Sequence, residues 1–254
     1  MATETETAVY VYGIVPADVE TEPGARGVGD PPAPVTIVRC DGIAALVSEI
    51  PGTATLGRPD DLAAHAALLD AAAAEAPVLP LRFGAVVTDE RQVEEELLKA
   101  HQDDFRAALE ELEGKAEYVI KARYEERAVL REILSENPEL AESREQIRGK
   151  PEDATRNERI ALGERIEQAI AAKREADTQR VVDALAALDV RVVVREPTHE
   201  EDAAYVACLA DTAKQRDLEA VVGKLARDWE GRVNTRLLGP IAAYDFVVTR
   251  EPEA

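Results

Sequence analysis

Aromatic side chains are scarce in this 254-residue chain, at 4% with one Trp and three Phe, and there is a single Met. Any core must therefore be built from Ala, Val, Leu and Ile. Hydrophobic residues reach 46%, enough to offset the entropy cost of folding, which argues against disorder throughout. Cysteine is nearly absent. Cys40 and Cys208 stand far apart in apolar, strand-like runs, which reads as two buried free thiols rather than a disulfide or redox pair. No apolar run approaches the roughly 20 residues needed to cross a bilayer. The N-terminal MATETETAVY has no basic region before an apolar stretch and does not read as a secretory signal. Basic residues are in deficit, 30 Lys and Arg against 51 Asp and Glu, for a formal charge of −21. No basic stripe could replace the counterions of a nucleic acid or bind an anionic membrane, so neither is an expected partner. The expectation is a soluble, cytoplasmic protein.

The length suggests two modest domains or one large one. Ala8–Val15 is apolar on both faces, as in a buried strand. A loop rich in Pro and Gly follows over 16–34. Val35–Cys40 and Ile43–Ile50 are joined by Asp41-Gly42, a pair that accepts the positive φ angles of a type I′ turn, which predicts a β-hairpin. Pro59 opens a helix whose first turn carries Asp60 and Asp61. Leu62, Ala66, Leu69 and Ala73 form its expected apolar stripe, and Pro77 ends it. Val78–Val87 reads as a strand broken by Pro80 and Gly84. Asp89 with Gln92 reads as a helix cap, and Val93, Leu97, Ala100, Ala108 and Leu112 carry that helix onward.

A second pattern begins near Gly114. Glu117–Tyr124 alternates, with Tyr118, Ile120, Ala122 and Tyr124 on one face and Val119, Lys121 and Arg123 on the other, as in a half-buried strand. Roughly half of the residues from Arg131 to Arg159 are charged, and Pro138 and Pro151 interrupt any helix there. Ile160, Ile166, Ile170, Val181, Leu185 and Leu188 then support a long helix ending near Asp189. Strands are expected at Val190–Arg195 and Ala203–Ala210, a helix at Asp211–Trp229, and one bent strand or two short ones over Arg232–Val248. The fold class is thus mixed α/β, or α+β, in two domains. Residues 1–113 are expected to form a small mixed sheet domain of similar design, with a loop in place of one helix. Residues 114–254 form a modified ferredoxin-like βαββαβ domain with a charged helical insertion at about 125–159.

No catalytic constellation emerges. Gly24-Ala25-Arg26-Gly27-Val28-Gly29 is followed by Asp-Pro-Pro-Ala-Pro, where a dinucleotide-binding loop needs a helix N-terminus. Gly149-Lys150 runs into Pro151 and is no phosphate loop. Ser48, Ser135 and Ser143 sit in no nucleophile elbow. Of the histidines, His65 lies beside an apolar helix stripe and reads as a satisfied interfacial side chain, His101 lies in a polar helix segment, and His199 precedes acids that solvate a loop. No i, i+4 pair of His or Cys offers a metal two ligands. Glu94-Glu95-Glu96 point to different sides of a helix. The expectation is no enzyme, no metal, no cofactor and no small-molecule substrate. The helix beyond Pro151 either packs a narrow stripe on its own sheet or joins another helix. A sustained heptad is missing, so own-sheet packing is favoured over a coiled coil.

Several segments resemble the gas vesicle accessory proteins GvpF and GvpL. Val9-Tyr10-Val11-Tyr12-Gly13-Ile14-Val15 is similar to that family's opening strand, and Gly42-Ile43-Ala44-Ala45-Leu46-Val47-Ser48 to its next hairpin element. The sharpest match is Val78-Leu79-Pro80-Leu81-Arg82-Phe83-Gly84-Ala85-Val86, after a helix carrying His65. Leu238-Gly239-Pro240 and Tyr244-Asp245-Phe246-Val247 resemble the closing segments, although Ile241-Ala242-Ala243 stands where the family has a proline-rich step. The resemblance implies two α/β domains and a non-enzymatic assembly factor, in the cytoplasm and on the gas vesicle. Its implied partners are the small hydrophobic shell protein and other gas vesicle accessory proteins. The surfaces around Leu81, Arg82 and Phe83 and around Tyr244 and Phe246 are the candidate partner-binding residues, against the alternative that they pack in the core. Two other functions stay open: a ferredoxin-like sensing or cofactor-free enzyme module, and a scaffold that self-associates through residues 125–188.

Overall fold

The computed structural model describes residues 7–247; the first six residues and Val248, the expected end of the closing strand, lie outside them. The described residues form a mixed α/β fold with two antiparallel sheets. The first sheet contains β1 (Thr7–Pro16), β2 (Thr36–Cys40), β3 (Ile43–Pro51), β4 (Leu79–Pro80) and β5 (Val86–Val87), in the order β2-β3-β1-β4 with β5 also on β1. The β2–β3 hairpin turns at Asp41-Gly42, both with positive φ (41° and 92°), as the dipeptide predicts. The run Val78–Val87 is two short strands on one edge of β1 rather than one strand. Leu79 and Pro80 pair with Ile14 and Gly13, Val86 and Val87 with Tyr10 and Val9, and the chain loops out between them through Gly84 at φ 96°. The core of this sheet centres on Tyr10, Tyr12, Leu46 and Leu69.

Helix α1 (Pro59–Glu75) begins with Pro59, as expected, but it buries a different ridge. Leu62 is 49% exposed, whereas Asp61, His65 and Leu69 are buried at i, i+4 and i+8. The stripe read from apolar residues alone was rotated because two polar residues find partners inside. Asp89 does cap the next helix, accepting from the Gln92 N–H at 2.8 Å. That helix, α2 (Glu90–Gln92), continues as a π-helical segment, Val93–Lys99, and breaks before α3 (Gln102–Leu112). The wider π spacing sets Val93 and Leu98, five apart, on the buried side, in place of the expected Leu97 and Ala100.

The second sheet contains β6 (Lys115–Tyr124), β7 (Arg191–Val194), β8 (Asp202–Asp211) and β9 (Val233–Ile241), in the order β7-β8-β6-β9. Backbone bonds from Tyr124 N–H to Glu201 and from Thr212 N–H to Gly114 set β6 and β8 antiparallel. Helices α4 (Glu126–Glu136), α5 (Pro138–Ile147) and α6 (Arg156–Leu185) fill the first crossover, and α7 (Gln215–Asp228) the second, which is the split βαβ succession. Strand β6 is half-buried only from Lys121 onward, because Glu117 and Val119 are buried as fully as Tyr118 and Ile120. Pro138 starts α5 at its first turn, and Asp189, in the left-handed region at φ 53°, stops the long helix. In α6, Ile160 is 51% exposed, and Leu162, Asp177, Val181 and Leu185 are the buried positions.

The long helix meets α4 and α5 of its own crossover, and ion pairs join it to α4. Lys173 bridges Glu132 and Glu136 at 2.6 and 2.7 Å. Arg232 reaches Glu132 at 2.6 Å and Asp177 at 2.7 Å, and the Tyr124 hydroxyl donates to Asp177 at 2.8 Å. Arg232 also lies over the Tyr124 ring. Asp177 is 1% exposed, so its charge is tolerable only because these donors surround it. The closing strand stops at Ile241. Residues 244–246 form a turn with Tyr244 N–H on the Ala242 carbonyl and Phe246 N–H on Ala243. The chain divides into two compact units, Met1–Tyr118 with Leu209–Ala213 and Gly239–Ala254, and Val119–Cys208 with Lys214–Leu238. Cys40 and Cys208 are both buried, and neither is in a disulfide. Among the described residues no helix is long and apolar enough to cross a membrane.

Candidate functional site

All five candidate binding residues lie in the first unit. Their positions follow from two patterns, the alternation of β1 and the buried ridge of α1. Alternation puts Tyr10 and Tyr12 on one face of β1, ring centroids 4.8 Å apart. On α1, Asp61 accepts the backbone N–H groups of Gly29, Gly57 and Arg58 at 3.0, 3.2 and 3.1 Å. The Gly29 bond, more than any other contact, holds its carboxyl below the usual range. One turn later His65 lies between the two tyrosines and Phe83, whose ring is 5.6 Å from its own in an edge contact.

The hydrogen bonds of His65 fix its role. Its Nε2 is 3.2 Å from the Leu81 carbonyl, which can only accept, so the proton sits on Nε2. Its Nδ1 therefore accepts from the Tyr10 hydroxyl at 2.8 Å, and that hydroxyl accepts the Gly84 N–H at 3.1 Å. The Leu81 N–H donates to the Tyr12 carbonyl at 2.9 Å. One Tyr10–His65 pair thus fastens both ends of the Leu81–Gly84 loop. Burial lowers the His65 pKa and pushes the Tyr10 hydroxyl up to about 12, so both stay neutral at pH 7. The pair is built as a fastener rather than an acid–base couple.

At the tip of this loop Arg82 is exposed, while Leu81 and Phe83 are half-buried. The C-terminal turn is held on the same core. The Ala242 N–H donates to Asp70 at 3.0 Å and the Asp245 N–H to Glu117 at 3.0 Å. Tyr244 is 37% exposed. Its phenol is driven upward by burial first and then by the charges of Asp70, Tyr10 and Glu117. Phe246 is buried and anchors the turn. Ala242 belongs to the cluster that contains Tyr10, and Phe83 packs against that cluster, so the two candidate segments meet around one core. Gly239 is required near the end of β9, just ahead of this segment. It has φ 127°, and a Cβ there would stand 2.8 Å from the Glu117 carbonyl oxygen.

Sequence reasoning missed Tyr10, Asp61, Asp70 and Glu117 as members of the site. The available signals were the acid at Glu117 set between apolar Ala116 and Tyr118 and the i, i+4 relation of Asp61 to His65. His101 faces Phe105, and His199 accepts the Glu201 N–H within its own loop. Among the described residues no group of three His, Cys, Asp or Glu could hold a metal.

Comparison with known proteins assigns this architecture. The family model described as gas vesicle synthesis protein GvpL/GvpF matches residues 8–248. Gas vesicle protein F of Streptomyces sp. (strain CB03234) is 34% identical over 245 residues, covering 94% of this chain and 99% of the relative. Gas vesicle protein F of Nostoc sp. (strain PCC 7120 / SAG 25.82 / UTEX 2576) is 26% identical, covering 94% and 98%. The crystal structure of GvpF from Anabaena sp. PCC7120 superposes with a TM-score of 0.78 at 25% identity, over 96% of this chain and all of that one. That of GvpF from Microcystis aeruginosa shares the fold, with a TM-score of 0.74 at 24% identity, over 94% of this chain and 98% of that one. With a family match spanning the strands, the fastened loop and the C-terminal turn alike, this chain belongs to the GvpL/GvpF family of gas vesicle proteins.

Proposed function

We propose that this gas vesicle accessory protein is a non-enzymatic assembly factor, in the cytoplasm and at the growing vesicle, that binds the small hydrophobic shell protein during assembly. The observation that supports a contact site is the loop Leu81–Gly84, closed at both ends by Tyr10 and His65. A loop already fixed in its binding shape loses little entropy when a partner docks. In this reading exposed Arg82 donates hydrogen bonds to partner carbonyl or carboxylate groups. Half-buried Leu81 and Phe83, with the exposed part of Tyr244, cover apolar surface beside it. Phe246 contributes by holding the Tyr244 turn. The high negative charge keeps a complex with an apolar partner in solution. Other gas vesicle accessory proteins are further partners of the same reading.

The experiment is co-expression with the shell protein, followed by pull-down and size-exclusion chromatography of the soluble fraction. A soluble complex that requires this chain is expected. Arg82→Ala should lower its yield about tenfold while the melting temperature holds, as expected for a lost charged hydrogen bond at an interface. Shell protein that aggregates equally with and without the chain would overturn direct binding. A collapse of folding in Arg82→Ala would assign the loop to core packing.

A further inference from the structure

A second surface of the first unit has the opposite chemistry. A groove of about 1110 Å³ runs between loop residues 18–25, the C-terminal half of α1, and α3. Its apolar lining is a buried floor of Ile43, Leu46 and Leu109 with partly exposed walls that include Val19, Leu68, Ala72 and Pro77. Asp18, Glu20, Glu22, Glu75, Glu110 and Glu113 also line it. None of these six carboxylates has a hydrogen bond or ion pair among the described residues. The only cation in the lining, Arg106, is engaged by the Asp41 carbonyl and by Asp103.

Two physical constraints narrow the occupant. Six uncompensated carboxylates about one concave apolar surface favour a cationic partner and focus its approach. They equally reject a second copy of this chain, with its formal charge of −21. The backbone of β3 beside the groove is already paired on both sides, with β1 and with β2. No strand can be added there, so an occupant must satisfy its own backbone groups, as a helix does. Beside Leu68 and Glu75, the lining in the last turns of α1 and just after it is Ala71, Ala72, Ala74 and Ala76, side chains short enough to let a second helix approach closely.

We propose that this groove docks a cationic amphipathic helix of a partner protein. Apolar side chains at i, i+4 and i+7 enter over Leu68, Ala72 and Pro77, and Lys or Arg residues on the helix flanks meet the six carboxylates. The inference does not rest on shell-protein binding at Arg82, and its test uses no shell protein.

The probe is a designed helical peptide of about five turns, patterned in Leu and Lys, with a Leu/Glu twin of the same pattern, read by fluorescence anisotropy. The Lys peptide should bind and the Glu twin should not. The triple variant Glu75→Gln, Glu110→Gln, Glu113→Gln should weaken binding about tenfold. The charge-matched triple Glu94→Gln, Glu95→Gln, Glu96→Gln should change it less than about twofold, since screening confines its effect to its own surroundings. Ala72→Phe, which fills the groove, should also weaken binding at high salt. Equal losses in the two triple variants would mean diffuse attraction to an acidic protein and would overturn the proposal, as would equal binding of the two peptides. The glutamine triples are on the surface and decide the matter even where Ala72→Phe fails to fold.

Discussion

The two sheets share a strand order, β2-β3-β1-β4 and β7-β8-β6-β9, yet they solve the first crossover in opposite ways. In the first sheet residues 17–35 cross without a helix. In the second, α4, α5 and α6 do so. A loop has few backbone partners of its own and must borrow them. The Val28 N–H goes to the Tyr12 hydroxyl, the Gly29 N–H to Asp61 and the Pro34 carbonyl to Ser48. Helices satisfy their own backbones and need only to be clamped, here by Lys173, Arg232, Asp177 and Glu132. The same topology therefore carries short, buried hydrogen bonds in one region and a charged network in the other.

Removing the clamp should have the largest effect. Arg232→Ala leaves Asp177 buried and Glu132 half-buried with their principal cation gone, and should cost about 3–5 kcal/mol. Urea denaturation measures the loss, and hydrogen exchange should rise first in α4 and α6. A loss under about 1 kcal/mol would mean that apolar packing, not charge, attaches the crossover. Asp61→Ala tests the loop side. Three backbone donors lose their acceptor, for about 2 kcal/mol, with faster exchange at Gly29, Gly57 and Arg58.

Acid should separate the regions further. Asp61, Glu132 and Asp202 all have lowered pKa values in the fold. Their contributions are present above the unfolded values near pH 4 and lost as pH falls through the folded ones. His65 acts earlier. Burial lowers its pKa, so its neutral form contributes fully above the unfolded value near 6.5 and the contribution fades as pH falls toward the folded one. His65→Gln should flatten the stability profile just below the unfolded value near pH 6.5, which thermal melts across that range would show. Unchanged curvature would place the titrating group elsewhere. The smallest effect is expected at the hairpin. Gly42→Ala, at φ 92°, should cost about 1 kcal/mol by thermal melting and leave the second sheet's exchange pattern unaltered.

Legibility in the sequence followed the range of the interactions. The Asp41-Gly42 turn, the Pro59 helix start and the Asp89 cap depend on residues within four positions, and each reads correctly from composition and spacing. The mixed α/β class follows from the order of such local signals. The expected α1 ridge differs because Leu62 is more apolar than Asp61 or His65, and distant groups, Gly29 and Tyr10, join the local donors in making burial of those two favourable. The loop Leu81–Gly84 could be picked out as a motif. Its fastening could not, since Tyr10 and His65 lie 55 positions apart.

Alone, the sequence determined what local backbone chemistry can determine: where turns and helix starts fall, which runs are extended, and which family the motifs resemble. Tertiary structure decided which polar groups go inside. Chain neighbours donate to Asp61 and Asp177 as well, but burial of Asp61, Asp177 or Glu117 is completed by remote donors, from Gly29, Tyr124 and Asp245, and a buried carboxylate oxygen left without its donor carries an uncompensated desolvation cost.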